Sequence, residues 1–296
     1  MIRRSGQMRI IITLLFFLVC IPDAYGDIAF VANTDGNWDI FSANDDGKNP
    51  VRLTATPYDE KTPCWSSDRK NIVYATSDGH LNILNTFSGK THQIAANQNS
   101  TPSITPAFSP DDREIAYAWF IPGKRDDTEL MIFNRETNTV RKLLDQPSVQ
   151  TNPAWSPDAK RLIYTTVHCT SDCGRIIQEL WITDPKGGWS QQLLMTHSLC
   201  QQPVWSPDGK QIAFSSDKSG NFDIWVLSLE DWNLRQITVH ESLDVSPAWS
   251  PDGSRIAFIS ARSGIMEIWI KDLKRDKLIK LSPFGDKNIE CRDVAW

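Results

Sequence analysis

One string recurs through this chain at nearly even intervals, and no other feature restricts the possible folds as severely. Its fullest form runs from Pro203 to Phe214 as Pro-x-Trp-Ser-Pro-Asp-Gly-Lys-x-Ile-Ala-Phe. Related copies start at Pro63, Pro106, Pro153 and Pro247, which puts the aromatic position at Trp65, Phe108, Trp155, Trp205 and Trp249. The successive spacings are 43, 47, 50 and 44 residues. A period of this length with a fixed local signature marks a repeat architecture in which each unit packs on its neighbours.

Each part of the string has a conformational meaning. Ser-Pro-Asp-Gly is turn chemistry: Pro presets φ, Asp bonds nearby backbone and Gly accepts positive φ. The triplets that follow it (Ile72-Val73-Tyr74, Ile115-Ala116-Tyr117, Leu162-Ile163-Tyr164, Ile212-Ala213-Phe214 and Ile256-Ala257-Phe258) are strand formers and open a second strand. A third strand is expected near Asp223-Ile224-Trp225-Val226 and Glu267-Ile268-Trp269-Ile270, and a fourth near Arg235-Gln236-Ile237-Thr238 or Arg52-Leu53-Thr54. No 3.6-residue apolar pattern persists long enough for a substantial helix. Four short strands per repeat is one blade of a β-propeller. The twelve Trp and twelve Phe then serve many small cores rather than one large one. Coincidental Trp-Ser pairs in a β-sandwich would not keep phase over five copies.

The ends set the blade count. Asp293-Val294-Ala295-Trp296 matches the Pro-Ala-Trp strand without its following turn, and Asp27-Ile28-Ala29-Phe30 matches the strand after that turn. Joined, they complete a sixth repeat that clasps the ring and removes an open sheet edge. The fold class expected is therefore all-β, a six-bladed β-propeller closed by N- and C-terminal strands in one blade.

The first residues stand outside that ring. Arg3, Arg4 and Arg9 precede the apolar run Ile10 to Ile21, which is short for a membrane span and suits a signal-peptide core. Pro22 and the small residues Ala24 and Gly26 place cleavage after Gly26, so that 1–26 is the signal peptide and 27–296 the propeller. An uncleaved anchor is the alternative; lipidation at Cys20 is disfavoured by Val19. Export, here to the periplasm, and a soluble mature chain with no membrane span follow as expectations. Without its first 26 residues the chain carries 28 basic and 35 acidic residues, a formal charge of −7, which argues against nucleic acid as a partner.

The Trp-Ser-Pro-Asp-Gly…Ile-Ala-Phe repeat resembles the TolB-type, WD40-like propeller repeat. So do the segments Asn37-Trp38-Asp39-Ile40 and Gly220-Asn221-Phe222-Asp223-Ile224-Trp225, and the similarity covers essentially all of 27–296. Blades of this type also occur in prolyl-oligopeptidase-like enzymes and some sugar-acid lyases, so they specify fold more than function. The TolB family's α/β domain ahead of the propeller is not expected here, since Phe30 already belongs to the ring. The resemblance implies a propeller that docks a peptidoglycan-associated lipoprotein and holds a cation in its channel.

Propeller geometry puts the Ser-Pro-Asp-Gly turns on one face and the between-blade loops on the other. The latter are rich in acids, and Glu60, Asp244 and Asp293 near the starts of innermost strands form a candidate rim for a basic partner segment or a divalent cation, with calcium suited to oxygen ligands. The plainer reading is a solvated acidic rim. Loop amides, among them Asn97, Asn99, Asn152 and Gln202, would suit a protein-binding surface.

Among the cysteines, Cys64 takes a slot held elsewhere by Ala or Val and reads as a small buried hydrophobe. Cys169, Cys173 and Cys200 are disulfide candidates, most simply Cys169–Cys173; zinc held by these with His168 and His197 is the sharper alternative. No Gly-x-Ser-x-Gly elbow, phosphate-binding glycine loop or His-Glu-x-x-His occurs. The expectation is a monomeric, non-enzymatic cell-envelope platform for a protein or peptide. The alternative is a cation-dependent lyase or lactonase acting on a sugar acid or lactone, with His80, His92, His168, His197 and His240 as the residues that would have to converge.

Overall fold

The computed structural model describes residues 28–94, 102–124, 127–146, 148–169 and 176–296. The expected signal peptide, Asn97, Asn99 and Cys173 lie outside them. The chain enters at β1 (Ile28–Asn33), β2 (Trp38–Ala43) and β3 (Val51–Arg52). Blade 2 holds β4 (Glu60–Trp65), β5 (Asn71–Thr76), β6 (Leu81–Asn85) and β7 (Thr91–Gln93); blade 3 holds β8 (Ser103–Phe108), β9 (Glu114–Phe120), β10 (Thr128–Asn134) and β11 (Thr139–Lys142). Blade 4 holds β12 (Val149–Trp155), β13 (Leu162–Cys169), β14 (Ile176–Thr183) and β15 (Ser190–Leu194). Blade 5 holds β16 (Cys200–Trp205), β17 (Gln211–Ser216), β18 (Asp223–Ser228) and β19 (Leu234–Gln236). Blade 6 holds β20 (Asp244–Trp249), β21 (Arg255–Ser260), β22 (Glu267–Asp272) and β23 (Lys277–Leu281). Finally β24 (Cys291–Ala295) returns to pair antiparallel with β1, Ala29 opposite Ala295, and completes blade 1 in the order β24-β1-β2-β3. The result is a six-bladed propeller of four-stranded antiparallel sheets, clasped as the two ends of the sequence require.

Its core is divided among the blade junctions. One apolar cluster fills each of them: Ala29, Val31, Ile40, Ile72 and Tyr74 between blades 1 and 2, for example, and Ala213, Ile224, Val226, Trp249 and Phe258 between blades 5 and 6. The aromatic that ends each triplet sits at such a junction, and Phe30, Tyr74, Tyr117, Tyr164, Phe214 and Phe258 are all fully buried. Burying one such side chain contributes about 1.5–3 kcal/mol. Ring integrity is thus a sum of similar interfaces rather than the property of one centre.

The Ser-Pro-Asp turns share one bonding pattern. In Ser206-Pro207-Asp208 the buried hydroxyl donates to Asp208 Oδ1 at 2.6 Å and accepts from Gln211 N–H at 2.9 Å, while Lys210 N–H reaches the same Oδ1 at 3.1 Å. Ser66, Ser109, Ser156 and Ser250 repeat this arrangement. The serine hydroxyl, with backbone N–H groups behind it, holds the Asp111, Asp158 and Asp208 carboxyls below their ordinary range. The fourth turn residue has positive φ, which Gly209 and Gly253 adopt freely but Ala159 (φ 57°) does not.

One expected strand is shorter than its sequence. Arg52-Leu53-Thr54 reads as strand, yet the ladder of β3 ends at Arg52. Thr54 Oγ1 accepts from Ile40 N–H at 2.8 Å, so the hydroxyl takes the place of a ladder carbonyl; Thr238 does the same for Ile224 N–H at 2.9 Å.

Candidate functional site: the central channel and the loop face

The innermost strands line the axis, and each carries a bulge at the same place. Pairing slips between Lys61 and Cys64, Ile104 and Ala107, Thr151 and Ala154, Gln201 and Val204, and Val245 and Ala248. At every bulge one residue lies in the left-handed region: Thr62 (φ 48°), Thr105 (50°), Asn152 (54°), Gln202 (53°), Ser246 (54°) and Asp293 (49°). Five precede proline, whose ring disfavours the α region for the residue before it. Asp293 precedes Val294 and adopts the same conformation, so the bulge, common to all six blades, does not require a following proline. Positive φ in residues of this kind, two of them β-branched, costs about 1–3 kcal/mol each and concentrates where a fold positions a site.

These six residues ring the channel and bond around it. Thr62 N–H donates to Asp293 Oδ2 at 3.1 Å, Asn152 N–H to Thr105 Oγ1 at 3.3 Å, and Ser246 N–H to Gln202 Oε1 at 2.8 Å, with Gln202 Nε2 returning a bond to Ser246 Oγ at 2.9 Å. Burial pushes the Asp293 carboxyl up, against the Thr62 N–H and the Arg292 and Lys61 charges that hold it down. On the turn-face side of this ring the channel widens into a cavity of about 570 Å³.

The three acids expected together at the rim are not together. Asp293 lines the channel, whereas Glu60 and Asp244 have no exposed surface and serve blade junctions. Glu60 accepts from Thr56 Oγ1 at 2.5 Å and Thr54 Oγ1 at 3.0 Å. Burial pushes its carboxyl up to about 7 despite those hydroxyls, and the neighbouring Asp39 carboxylate adds to the rise. Asp244 pairs with Arg262 Nη2 at 2.6 Å, and Arg262 lies over the Trp269 ring at 5.2 Å. The reason is directional. Both acids open an innermost strand, and alternation turns that first side chain into the junction rather than toward the axis.

The Gly-Asn-aromatic-Asp segments have a defined role. Asn37 Nδ2 donates to Thr56 O at 2.7 Å and Tyr58 O at 3.1 Å; Asn221 Nδ2 donates to His240 O at 2.7 Å and Ser242 O at 3.2 Å. Each carboxamide therefore pins the following between-blade loop. The Asp two residues on anchors the outer strand, Asp39 through Arg52 at 2.5 Å and Asp223 through Gln236 at 2.9 Å. Arg292 adds a tie between blades 1 and 2, stacked over Trp38 at 4.1 Å with Nη2 on Glu60 O at 3.0 Å. The pinned loops present Tyr58, Val239 and Leu243 to solvent, and Met195 is exposed in the loop between blades 4 and 5.

Other expected groups resolve differently. Cys200 is a free, buried thiol that Thr196 Oγ1 approaches at 3.2 Å, and burial raises its pKa; it makes no disulfide. The Cys169 side chain and Cys173 lie outside the described residues, as does the His168 side chain. Cys64 is half-buried rather than buried and packs against the cluster between blades 2 and 3; burial pushes its thiol up to about 11. His80 pairs with Asp78 at 3.0 Å, His92 is exposed on an outer strand, and His240 Nδ1 accepts from Ser242 N–H at 3.0 Å. Together with His197 in its between-blade loop, they stay in separate places. Among the described residues no group of three or more His, Cys, Asp or Glu could hold a metal ion, and no helix is long and apolar enough to cross a membrane.

Sequence reading missed Asp39, Arg262 and the ring of left-handed residues. The recurring residue before proline marked the position but not the conformation, since a following proline favours extended backbone.

Known proteins resemble the chain throughout. It is 29% identical over 142 residues to a TolB homolog of Chlorobium chlorochromatii, covering 47% of this chain and 31% of that one. It is 33% identical over 110 residues to the Tol-Pal system protein TolB of Francisella tularensis subsp. mediasiatica, covering 36% and 25%. The matches thus span a quarter to a third of these curated relatives. Among solved structures, TolB from Acinetobacter baumannii superposes with a TM-score of 0.77 at 22% identity over 91% of this chain and 66% of that one. An oligogalacturonate lyase with manganese gives 0.56 at 17% identity over 86% and 72%. At such identities the superpositions speak for the fold alone. The TolB beta propeller domain model matches residues 25–171 and 174–294, and with a strand order that closes the ring across the two termini, the chain belongs to the TolB β-propeller domain family.

Proposed function

We propose that this chain is a non-enzymatic binding platform of the cell envelope, working in the periplasm and engaging a protein or peptide on its between-blade loop face. A peptidoglycan-associated lipoprotein of a Tol-Pal-like system is the partner class that its family membership suggests. The observation that carries the reading is the pinned, apolar-tipped loop. Val239 is 80% exposed, yet the loop it tips is tied down by the half-buried carboxamide of Asn221. A loop ordered before binding loses little entropy on association, which favours recognition over mere solvation. Apolar tips set among acids such as Asp59 and Glu241 give an apolar centre with a polar surround, the usual anatomy of an interface. In this reading Asp293 belongs to the ring inside the channel, while Glu60 and Asp244 act indirectly by holding the loops.

The alternative, a cation-dependent lyase or lactonase, needs histidines and acids brought together in the channel. The four histidines with described side chains lie apart, which favours the platform.

Titration calorimetry of residues 27–296 with the soluble domain of a peptidoglycan-associated lipoprotein, in calcium and in chelator, tests the proposal. Saturable binding that weakens at least tenfold in Val239→Asp/Leu243→Asp, a loss of about 1.4 kcal/mol or more, is the expected result. No binding in either condition, or binding indifferent to these substitutions, refutes it.

A further inference from the structure

The wide end of the channel opens on the Ser-Pro-Asp face, opposite the loops just discussed, and its lining is of a different character. The cavity of about 570 Å³ falls in the range of preformed small-molecule sites. Below the ring of left-handed residues come layers contributed once per blade. First is a layer of prolines closed by Val294, then small side chains such as Ala154 and Ala248, then indoles including Trp65, Trp205, Trp249 and Trp296 at the mouth. The floor is polar and holds Asp293, the only carboxylate among the lining residues; the one lining cation, Arg69, sits at the mouth over the Trp65 ring at 4.8 Å. Three polar atoms there are buried without a partner: Thr62 Oγ1 in the floor and the indole Nε1 of Trp65 and of Trp249, the Trp249 side chain being more than nine-tenths buried.

We propose that this funnel binds a small organic ammonium, a molecule with an apolar body and one positively charged nitrogen, the nitrogen directed to Asp293 and the floor oxygens. The proposal does not depend on what the loop face binds. A bare inorganic cation would meet one carboxylate and lose hydration against proline and alanine, so the walls select against it. An anion would face Asp293. A neutral apolar ligand would fill the walls but leave the floor charge unmatched. An organic ammonium satisfies both ends, and the indoles at the mouth add ring faces that attract cations. Three of these rings already carry a guanidinium on one face, Arg69 over Trp65 and Arg161 over Trp205 at 4.8 Å and Arg255 over Trp296 at 4.6 Å, so Trp249 is the ring of the four best placed to serve a ligand.

Three probes of similar shape separate the possibilities: phenethylammonium, 2-phenylethanol and 3-phenylpropanoate, titrated into residues 27–296 and followed by tryptophan fluorescence and calorimetry. The ammonium is expected to bind about tenfold or more tighter than the alcohol, with the carboxylate weakest. Asp293→Asn keeps an acceptor for Thr62 N–H and is expected to bring the ammonium down to the alcohol's affinity. Ala154→Leu narrows the funnel and is expected to weaken both. Thermal unfolding of each variant separates loss of the site from loss of the fold, and should Asp293→Asn fail to fold, the ranking of the three probes on the unaltered protein decides alone. No saturable binding of any probe, a ranking with the alcohol or the carboxylate first, equal affinities, or a folded Asp293→Asn variant with the original ranking would each overturn the proposal.

Discussion

Replacing Glu60 by Gln is expected to stabilise the protein above neutral pH and to leave it almost unchanged in mild acid. The carboxyl is buried at the junction of blades 1 and 2, accepts hydroxyls from Thr54 and Thr56, and stands beside Asp39. In the folded protein burial pushes it up to about 7, against 4.5 for an unperturbed glutamate. Between those values the folded chain keeps a proton that the unfolded chain releases. Its contribution to stability is therefore complete below about pH 4.5 and is lost as pH rises through about 7. At about 1.36 kcal/mol per unit the full loss is near 3 kcal/mol, and solvent at the adjoining loop screens part of it, leaving about 1.5–3 kcal/mol. Glutamine cannot ionise, retains an acceptor for the threonines, and offers N–H groups to Asp39 Oδ1, which is buried without a partner. Urea denaturation of both proteins at intervals from about pH 4.5 to about pH 9 measures the difference directly. The two stability profiles should lie closest at the acid end, at about pH 4.5, and separate by about 1.5–3 kcal/mol at about pH 9, the variant higher. Parallel profiles across that range would mean that Glu60 is ionised in the folded protein, and the reasoning from its burial would be wrong.

Two further outcomes follow from named contacts. Ala159 holds the turn position with φ 57° that Gly209 and Gly253 fill elsewhere, so Ala159→Gly should raise stability by about 1 kcal/mol and Tm by about 2–4 °C; an unchanged or lower Tm in calorimetry would contradict the strain. Arg69 and Asp112 share that conformation but are poorer tests, since Arg69 lies over Trp65 and Asp112 accepts from Ser67 N–H. Arg262→Met leaves the fully buried Asp244 without its 2.6 Å partner and should cost about 3–5 kcal/mol in urea denaturation, with Arg262→Met/Asp244→Leu recovering much of it; a single-variant loss below about 1 kcal/mol would show that the pair carries no buried charge.

The expected disulfide pairing and calcium require their own measurements. Free-thiol titration of residues 27–296 reports on Cys169 and Cys173, with Cys200 counted as a thiol in either case.

The sequence by itself determined the architecture, because the repeat encodes local geometry. Turn residues at fixed offsets, strand triplets after them and half-repeats at the two ends specify blades, their number and their closure without reference to any distant contact. It also located the acids, but not where they point. Glu60 and Asp244 look like rim residues in one dimension because each stands beside a between-blade loop. Only the packed ring turns them into the junctions, where Thr54, Thr56 and Arg262, residues 4 to 18 positions away, become their partners. Asp293 reaches the channel because it stands at the bulge of its innermost strand, where the residue of every blade takes positive φ and lines the axis. Repeat pattern is a local property and survives reading along the chain; side-chain direction at a bulge, and the burial that makes Arg262 the partner of Asp244, are properties of packed blades and exist only once the strands are folded against one another.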